Sequence, residues 1–318
     1  MKKLLFLVIL LAGITAFLYM YSKKILFEKQ DIDTEIVFQI NRGDTLEEIA
    51  NTLKDNDLIA EKWHFILYAK LIKVYPKIKA GEYLISESVS MMELIDILSK
   101  GKVYYRKVTF PEGITSREIK EILMANEFLT GEIEDIKEGV FLPETYTFSR
   151  GASRQSIVNQ ATKSLSNILD TAWNNRDKTL PLKSKEELLI LASIVEKETG
   201  IPEERAQVAS VFVNRLKIGM LLQTDPTVIY AVTLGKEDLG RPIYKKDLAI
   251  DSPYNTYKYT GLPPTPICNP GKDAILATAN PDTTPYLYFV ASGNGGHNFA
   301  KTLIEHNKNV QKWRAISK

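Results

Sequence analysis

Hydrophobic and polar positions change their rhythm three times along the chain. An uncharged, mostly apolar run from Leu4 to Tyr21 lies between Met1-Lys2-Lys3 and Lys23-Lys24. It reaches the short end of the roughly 17–25 residues that a spanning helix needs. No small-residue exit of the kind that ends a cleaved signal peptide follows Ala16. The pattern predicts a membrane anchor. Alternation then predicts a strand over Ile36–Ile40, and Asn41–Thr45 makes a turn. Leu46, Ile49, Ala50 and Leu53 follow at helical spacing behind a Thr45 or Asp44 cap. A helix over Glu61–Tyr75 stops at Pro76, a strand over Ala80–Ile85 precedes a helix over Met91–Ser99 closed by Gly101, and a strand over Lys102–Phe110 ends at Pro111-Glu112-Gly113. These elements make a small α+β unit.

Helical periods dominate the remainder. Ser116–Asn126 is the first, and Arg154–Asn174 presents Ile157, Ala161, Leu165 and Ile168 on one side. Ser184 caps a helix over Lys185–Thr199, with Glu186 and Glu187 in its first turn. Its middle, Leu188 to Val195, is almost wholly apolar, which predicts central burial. Gly200 and Pro202 end it. A helix over Glu203–Lys217 turns Val208, Val211, Phe212 and Leu216 inward. A polar, turn-rich stretch runs to Gly271, followed by a helix (Lys272–Asn280), a strand (Tyr286–Ala291) and a last helix from about Lys301.

Composition narrows the chemistry. With 318 residues the chain has room for two domains, and 44% hydrophobic residues excludes wholesale disorder. Lys and Arg total 41 against 39 Asp and Glu, so no general affinity for nucleic acid is expected. One cysteine, Cys268, forbids an internal disulfide, and three separated histidines (His64, His297, His306) argue against a metal site. Neither a phosphate-binding glycine loop, nor a dinucleotide fingerprint, nor a nucleophile elbow is present, and no cofactor is expected. Carboxylates, hydroxyls and amides are left.

The carboxylates of interest end the apolar helix. Glu196 and Glu198 combine low-dielectric surroundings with the negative end of the helix dipole, and both effects raise a carboxyl pKa. A carboxyl that stays protonated near neutrality can act as a general acid. Two residues apart on a helix, the pair point about 200° from each other, so they cannot serve one cleft together. Position favours Glu198, nearer the loop and beside Thr199, with Glu196 the alternative; a pair of solvated helix-end glutamates is the bland reading. Leu222-Gln223-Thr224-Asp225-Pro226-Thr227 reads as a rigid polar turn, Tyr254-Asn255-Thr256-Tyr257 sets aromatics beside amide and hydroxyl, and Gly295-Gly296-His297 places a histidine on a flexible turn. Aromatic faces with planar polar groups suit a sugar. Cys268 reads as a semi-buried, unreactive thiol.

Two resemblances add to this. Gly43-Asp44-Thr45-Leu46-Glu47-Glu48-Ile49-Ala50 resembles the opening of a LysM carbohydrate-binding module. The runs Leu191–Thr199, Val208–Leu216, Leu222–Tyr230, Tyr254–Tyr257, Thr260–Pro264, Thr284–Val290 and Gly295–His297, in this order, resemble the endolytic murein transglycosylase family, also called MltG or YceG-like. The resemblance implies an α+β chain in three parts: a cytoplasmic N-terminus and transmembrane anchor (1–24), a LysM-like α+β module (25–112), and a larger, mainly helical, lysozyme-like catalytic domain with short strands (113–318).

It also implies a single-pass protein of the inner (cytoplasmic) membrane with its catalytic domain on the periplasmic or extracytoplasmic side. Such an enzyme cuts the β-1,4 bond between N-acetylmuramic acid and N-acetylglucosamine in nascent peptidoglycan strands. It leaves 1,6-anhydromuramic ends and terminates glycan elongation. The family's glutamate falls on Glu-Lys-Glu-Thr and is assigned to Glu198, since Glu198-Thr199 also resembles the Glu-Ser pair of lysozyme-like transglycosylases. Gln223, Thr224, Asp225, Tyr254, Asn255, Thr256, Tyr257 and His297 are the expected substrate-binding residues. Partners would be peptidoglycan glycan strands, the membrane and peptidoglycan synthases. A non-catalytic wall-binding scaffold accounts for anchor and aromatics equally well, but gives no reason for a carboxyl at the end of an apolar helix.

Overall fold

The structure, a computed structural model, describes residues 2–293 and 295–316; Met1 of the predicted anchor and Ser317 and Lys318 of the last predicted domain lie outside the described residues. The chain mixes helices with short strands and forms two compact units, Met1–Arg106 with Thr147–Arg150, and Lys107–Tyr146 with Gly151–Lys318.

The first unit opens with α1, Lys2–Phe27, whose segment Lys3–Phe27 is long and apolar enough to cross a membrane. Its Leu4–Leu11 and Ile14–Tyr21 side chains stand mostly exposed. Short antiparallel pairs follow. Strand β1 (Lys29–Gln30) pairs with β4 (Val89–Ser90), and β2 (Ile36–Ile40) pairs with β3 (Gly81–Ile85), Ile36 opposite Ile85 and Ile40 opposite Gly81. Between β2 and β3 lie α2 (Leu46–Asp55) and α3 (Lys62–Leu71), and α4 (Met91–Lys100) follows β4. Reciprocal side-chain caps start two of these helices, Thr45 with Glu48 on α2 and Ser90 with Glu93 on α4. Each satisfies backbone N–H groups that a helix start leaves unpaired. Gly101 closes α4 at φ 61°, a left-handed turn that costs a glycine little. Leu46, Ile49, Ala50 and Leu53 are buried with Phe65, Tyr83 and Leu94 in one core. Glu82, its side chain 2% exposed, accepts two hydrogen bonds from Arg106, at 2.7 and 2.9 Å.

The second unit is built round one helix. Strands β5 (Arg106–Thr109) and β6 (Thr145–Phe148) lead the chain into and out of its first segment, which carries α5 (Ser116–Ala125). Then come α6 (Arg154–Asn174), α7 (Lys185–Glu198), α8 (Arg205–Lys217), α9 (Asp225–Thr233), α10 (Lys272–Ala279), the antiparallel hairpin β7 (Tyr288–Ala291) and β8 (His297–Ala300), and α11 (Leu303–Ile316). Every residue of α7 from Leu188 to Val195 is buried, as its sequence predicts, and α6, α8 and α10 pack round it. Leu191, Ala192, Ile194, Val195, Val208, Ala209 and Ile275 have no exposed surface at all.

Three expectations change. The stretch read as a turn from Leu222 to Thr227 runs instead into α9, with Pro226 in the first turn, where its missing N–H costs nothing. His297 lies on strand β8 opposite Ala291, because the hairpin continues through it. Cys268 is wholly buried, its thiol against the Ser193 carbonyl at 3.3 Å, and burial pushes its pKa well up. Since α7 anchors the second unit, Leu191→Ala is expected to cost about 2–5 kcal/mol in chemical denaturation. The same truncation at exposed Ile304 should cost about 0.5 kcal/mol or less.

Candidate active site

Burial of both sides of α7 leaves its two terminal glutamates no common direction. Glu196 turns inward, its side chain 5% exposed. Its Oε2 accepts the backbone N–H of Gly271, the residue that precedes α10, at 2.8 Å. Its Oε1 lies 3.8 Å from the Arg205 guanidinium, which also meets Glu112 at 3.0 Å and Asp273 at 3.7 Å. Burial raises the Glu196 pKa and Glu112 adds to the rise, while the Gly271 N–H, Arg205 and Lys197 oppose it. A carboxyl so engaged ties helix ends together, one oxygen hydrogen-bonded and the other paired with a guanidinium.

Glu198, as a residue half-buried like Glu196, turns the other way, toward Thr224. The Thr224 hydroxyl donates to its Oε1, so the proton of the neutral acid belongs on Oε2. Burial raises its pKa first, and the nearby Asp225 charge adds to the rise. The Thr224 hydrogen bond, His297 and Arg215 pull it down. The hydroxyl of the expected neighbour Thr199 accepts from the Ile201 N–H at 3.0 Å, in the turn that follows α7.

Thr224 is held from several sides. Gln223 before it sits at φ 47°, a left-handed conformation unfavourable for a residue with a side chain, and its N–H donates to the Thr256 carbonyl at 3.1 Å. The Thr224 N–H donates to the Thr256 hydroxyl at 3.1 Å, and the Thr227 hydroxyl donates to the Thr224 carbonyl at 2.7 Å. Because that proton is committed, the 2.8 Å contact between Thr227 and Thr256 is donated by Thr256. Thr224 also occupies the N-cap of α9 without capping it. Its hydroxyl serves Glu198 instead, giving up a cap typically worth about 1 kcal/mol.

The expected sugar-binding residues divide by surroundings. Asp225, exposed at the start of α9, accepts the Tyr257 hydroxyl at 2.6 Å, and burial together with that bond raises the phenol's pKa. Gln223 keeps an exposed side chain. His297 is fixed on β8 by Glu204, which accepts its backbone N–H at 3.0 Å and lies 2.8 Å from its Nδ1. Asp225, Tyr257 and His297 gather with Thr224 round Glu198. Asn255 and Thr256 are buried. The Asn255 amide donates to the carbonyls of Leu248 and Ile250 at 3.0 and 2.9 Å and accepts the Tyr257 N–H at 3.0 Å, holding the loop in shape. Tyr254 stacks obliquely on Tyr230 at 4.9 Å, with its hydroxyl 2.8 Å from that of Thr265.

Two participants carry no assignment from sequence. Buried Arg215 donates to the carbonyls of Leu287 (2.6 Å) and Leu222 (2.7 Å), joining the approaches to β7 and to Thr224 and placing a positive charge within reach of Glu198. A signal for it exists: Val208, Val211, Phe212 and Arg215 share one helical face, and an arginine on an apolar face demands partners. Glu204 has no such signal. A concavity of about 830 Å³ lies within the first unit and includes none of these residues. The group round Glu198 is singled out by its chemistry and hydrogen bonding, not by depth.

The YceG-like family model matches residues 38–312. The chain is 34% identical to the endolytic murein transglycosylase of Bacillus subtilis strain 168, over 93% of this chain and 89% of that protein. It is 31% identical to the endolytic murein transglycosylase of Streptococcus pneumoniae serotype 2 strain D39, over 85% of this chain but only 57% of that longer protein. The crystal structure of a yceG-like protein from Listeria monocytogenes superposes with a TM-score of 0.53 at 32% identity, covering 86% of this chain and 98% of the other.

The raised Glu198 pKa has a consequence for stability. Between the ordinary value near 4.5 and the higher folded value, the folded state binds more protons than the unfolded state. The favourable contribution is therefore complete at acid pH and is lost as pH rises through the folded value. Glu198→Gln removes that loss, so its melting temperature relative to wild type should climb as pH rises above 4.5, as measured by differential scanning calorimetry.

Proposed function

The chain belongs to the YceG-like family, and from that membership we propose how it works as a membrane-anchored endolytic lytic transglycosylase of peptidoglycan. The observation that carries the reading is the pair of opposed glutamates, with Glu196 consumed by Gly271 and Arg205 and Glu198 presented beside Thr224.

In this mechanism neutral Glu198 delivers its Oε2 proton to the glycosidic oxygen as the bond from muramic acid C1 breaks. Now a carboxylate, Glu198 takes the proton of the C6 hydroxyl while that oxygen bonds to C1, closing the 1,6-anhydro ring. An ordinary glycosidase needs a second carboxylate as nucleophile or to activate water. Here the substrate supplies the nucleophile, so one carboxyl serves both steps and is regenerated neutral. Asp225 keeps the resting acid protonated, and Arg215 and His297 favour the charged form between the two steps. Gln223, Thr224, Asp225, Tyr257 and His297 form the face that receives the sugars, with Tyr254, Asn255 and Thr256 shaping the loop behind it.

Helix α1 holds the enzyme in the cytoplasmic membrane, with the rest of the chain on the extracytoplasmic side, where nascent strands terminate. Domains at 25–112 and 113–318 carry a LysM-like glycan-binding role and a lysozyme-like catalytic role, and contact with the synthases would place the enzyme on new strands. The capped turn and helix at Gly43–Ala50 support the LysM-like role, and the acid at the end of a buried helix supports the lysozyme-like one.

Uncrosslinked glycan strands incubated with the detergent-solubilised full chain, with products read by mass spectrometry, test the assignment. Wild type should release anhydro-ended fragments, and Glu198→Gln should lose about 10²–10⁴-fold in rate. Glu196→Gln should keep measurable turnover if it folds. Reducing ends would indicate hydrolysis, wild-type turnover by Glu198→Gln would remove Glu198 from the chemistry, and binding without cleavage would favour a scaffold.

A further inference from the structure

Helix α3 presents apolar residues on two faces. Phe65 and Ala69 are buried in the first unit's core with His64, yet Trp63 (55% exposed), Leu67 (46%) and Leu71 (65%) line the side turned away from Phe65 and Ala69. Positions 63, 67 and 71 are one helical turn apart, so they form a continuous stripe. Exposed Lys62, Lys70 and Lys73 border the stripe, and none makes an ion pair among the described residues.

The stripe lies beside the anchor. The Trp63 ring rests 3.6 Å from that of His64, which meets Tyr21 of α1 edge-on at 6.1 Å. His64 shares a cleft with Ile25 and Glu28, so the start of α3 adjoins the end of α1. Ile25 and Leu26 pack against the core that holds Phe65 and Ala69. The depth of α3 is thereby tied to the point where the anchor leaves the bilayer, marked by Tyr21, Lys23 and Lys24. Tryptophan, leucine and lysine at that depth are the composition of an interfacial helix.

We propose that the Trp63–Leu67–Leu71 face of α3 is a second membrane contact, lying in the headgroup layer of the bilayer that α1 spans, with the lysines on anionic lipid phosphates. This rests on α1 being a membrane anchor. Two attachments fix the first unit against the surface, where one helix alone would let it swivel.

Full-length protein in vesicles of mixed phosphatidylglycerol and phosphatidylcholine tests this. Trp63 is one of three tryptophans, with Trp173 and Trp313, and none lies in α1. Lipids brominated near the top of the acyl chain should quench wild-type emission about two-fold more than that of Trp63→Phe. The Leu67→Gln, Leu71→Gln variant, altered only at exposed positions and checked for folding by circular dichroism, should lose that excess. Equal quenching of wild type and Trp63→Phe, in protein that floats with the vesicles, would overturn the second contact alone. Failure to float would overturn the anchor and this contact with it.

Discussion

The burial of the middle of α7 is the constraint on which the second unit depends. Eight consecutive residues, Leu188 to Val195, have neighbours on every side, so the helix cannot rotate to suit its last turn. Its two terminal glutamates must accept the directions this imposes, about 200° apart. One is drawn inward and must be satisfied there, which Gly271 and Arg205 accomplish. The other meets Thr224, among enough protein to raise its pKa. The packing that stabilises the unit thus also raises the pKa of the glutamate proposed as the acid.

Opposing influences on Glu198 keep that acid reversible. Burial and Asp225 favour the neutral form, whereas the Thr224 hydroxyl, His297 and Arg215 favour the carboxylate. A carboxyl locked in either state could perform only half of a donate-then-accept cycle. Thr224 is the clearest sign of this compromise. It stands where a helix cap belongs and leaves the cap unmade, and the residue before it adopts a left-handed backbone to bring it there. Local helix rules are broken where Glu198 is met, and the proposed role gives a reason for the break.

Sequence periodicity carries most of the helical framework, because burial and capping leave local marks. Arg154–Asn174 is bounded by Ser153, Thr45 heads its helix as a capping residue should, and the apolar middle of α7 announces its own burial. Helix α9 is obscured by Thr-Asp-Pro, which reads as a turn, and by the β-branched residues Thr227, Val228 and Ile229 that follow. At the site, the divergence of Glu196 and Glu198 follows from helix geometry alone. Which of them faces inward does not, since Gly271 and Arg205 arrive from other elements. The His297–Glu204 and Tyr257–Asp225 pairs are likewise tertiary, joining residues 93 and 32 positions apart.

The central claim, that Glu198 is held as a neutral acid above its ordinary range, is open to direct observation. Infrared difference spectra of wild type against Glu198→Gln, recorded across a pH series, isolate the protonated carboxyl stretch of this one side chain. The account predicts that the stretch persists above the ordinary glutamate value near 4.5 and vanishes only at higher pH, and that in Asp225→Asn it vanishes at lower pH than in wild type. A Glu198 carboxyl already ionised at or below 4.5 would contradict it.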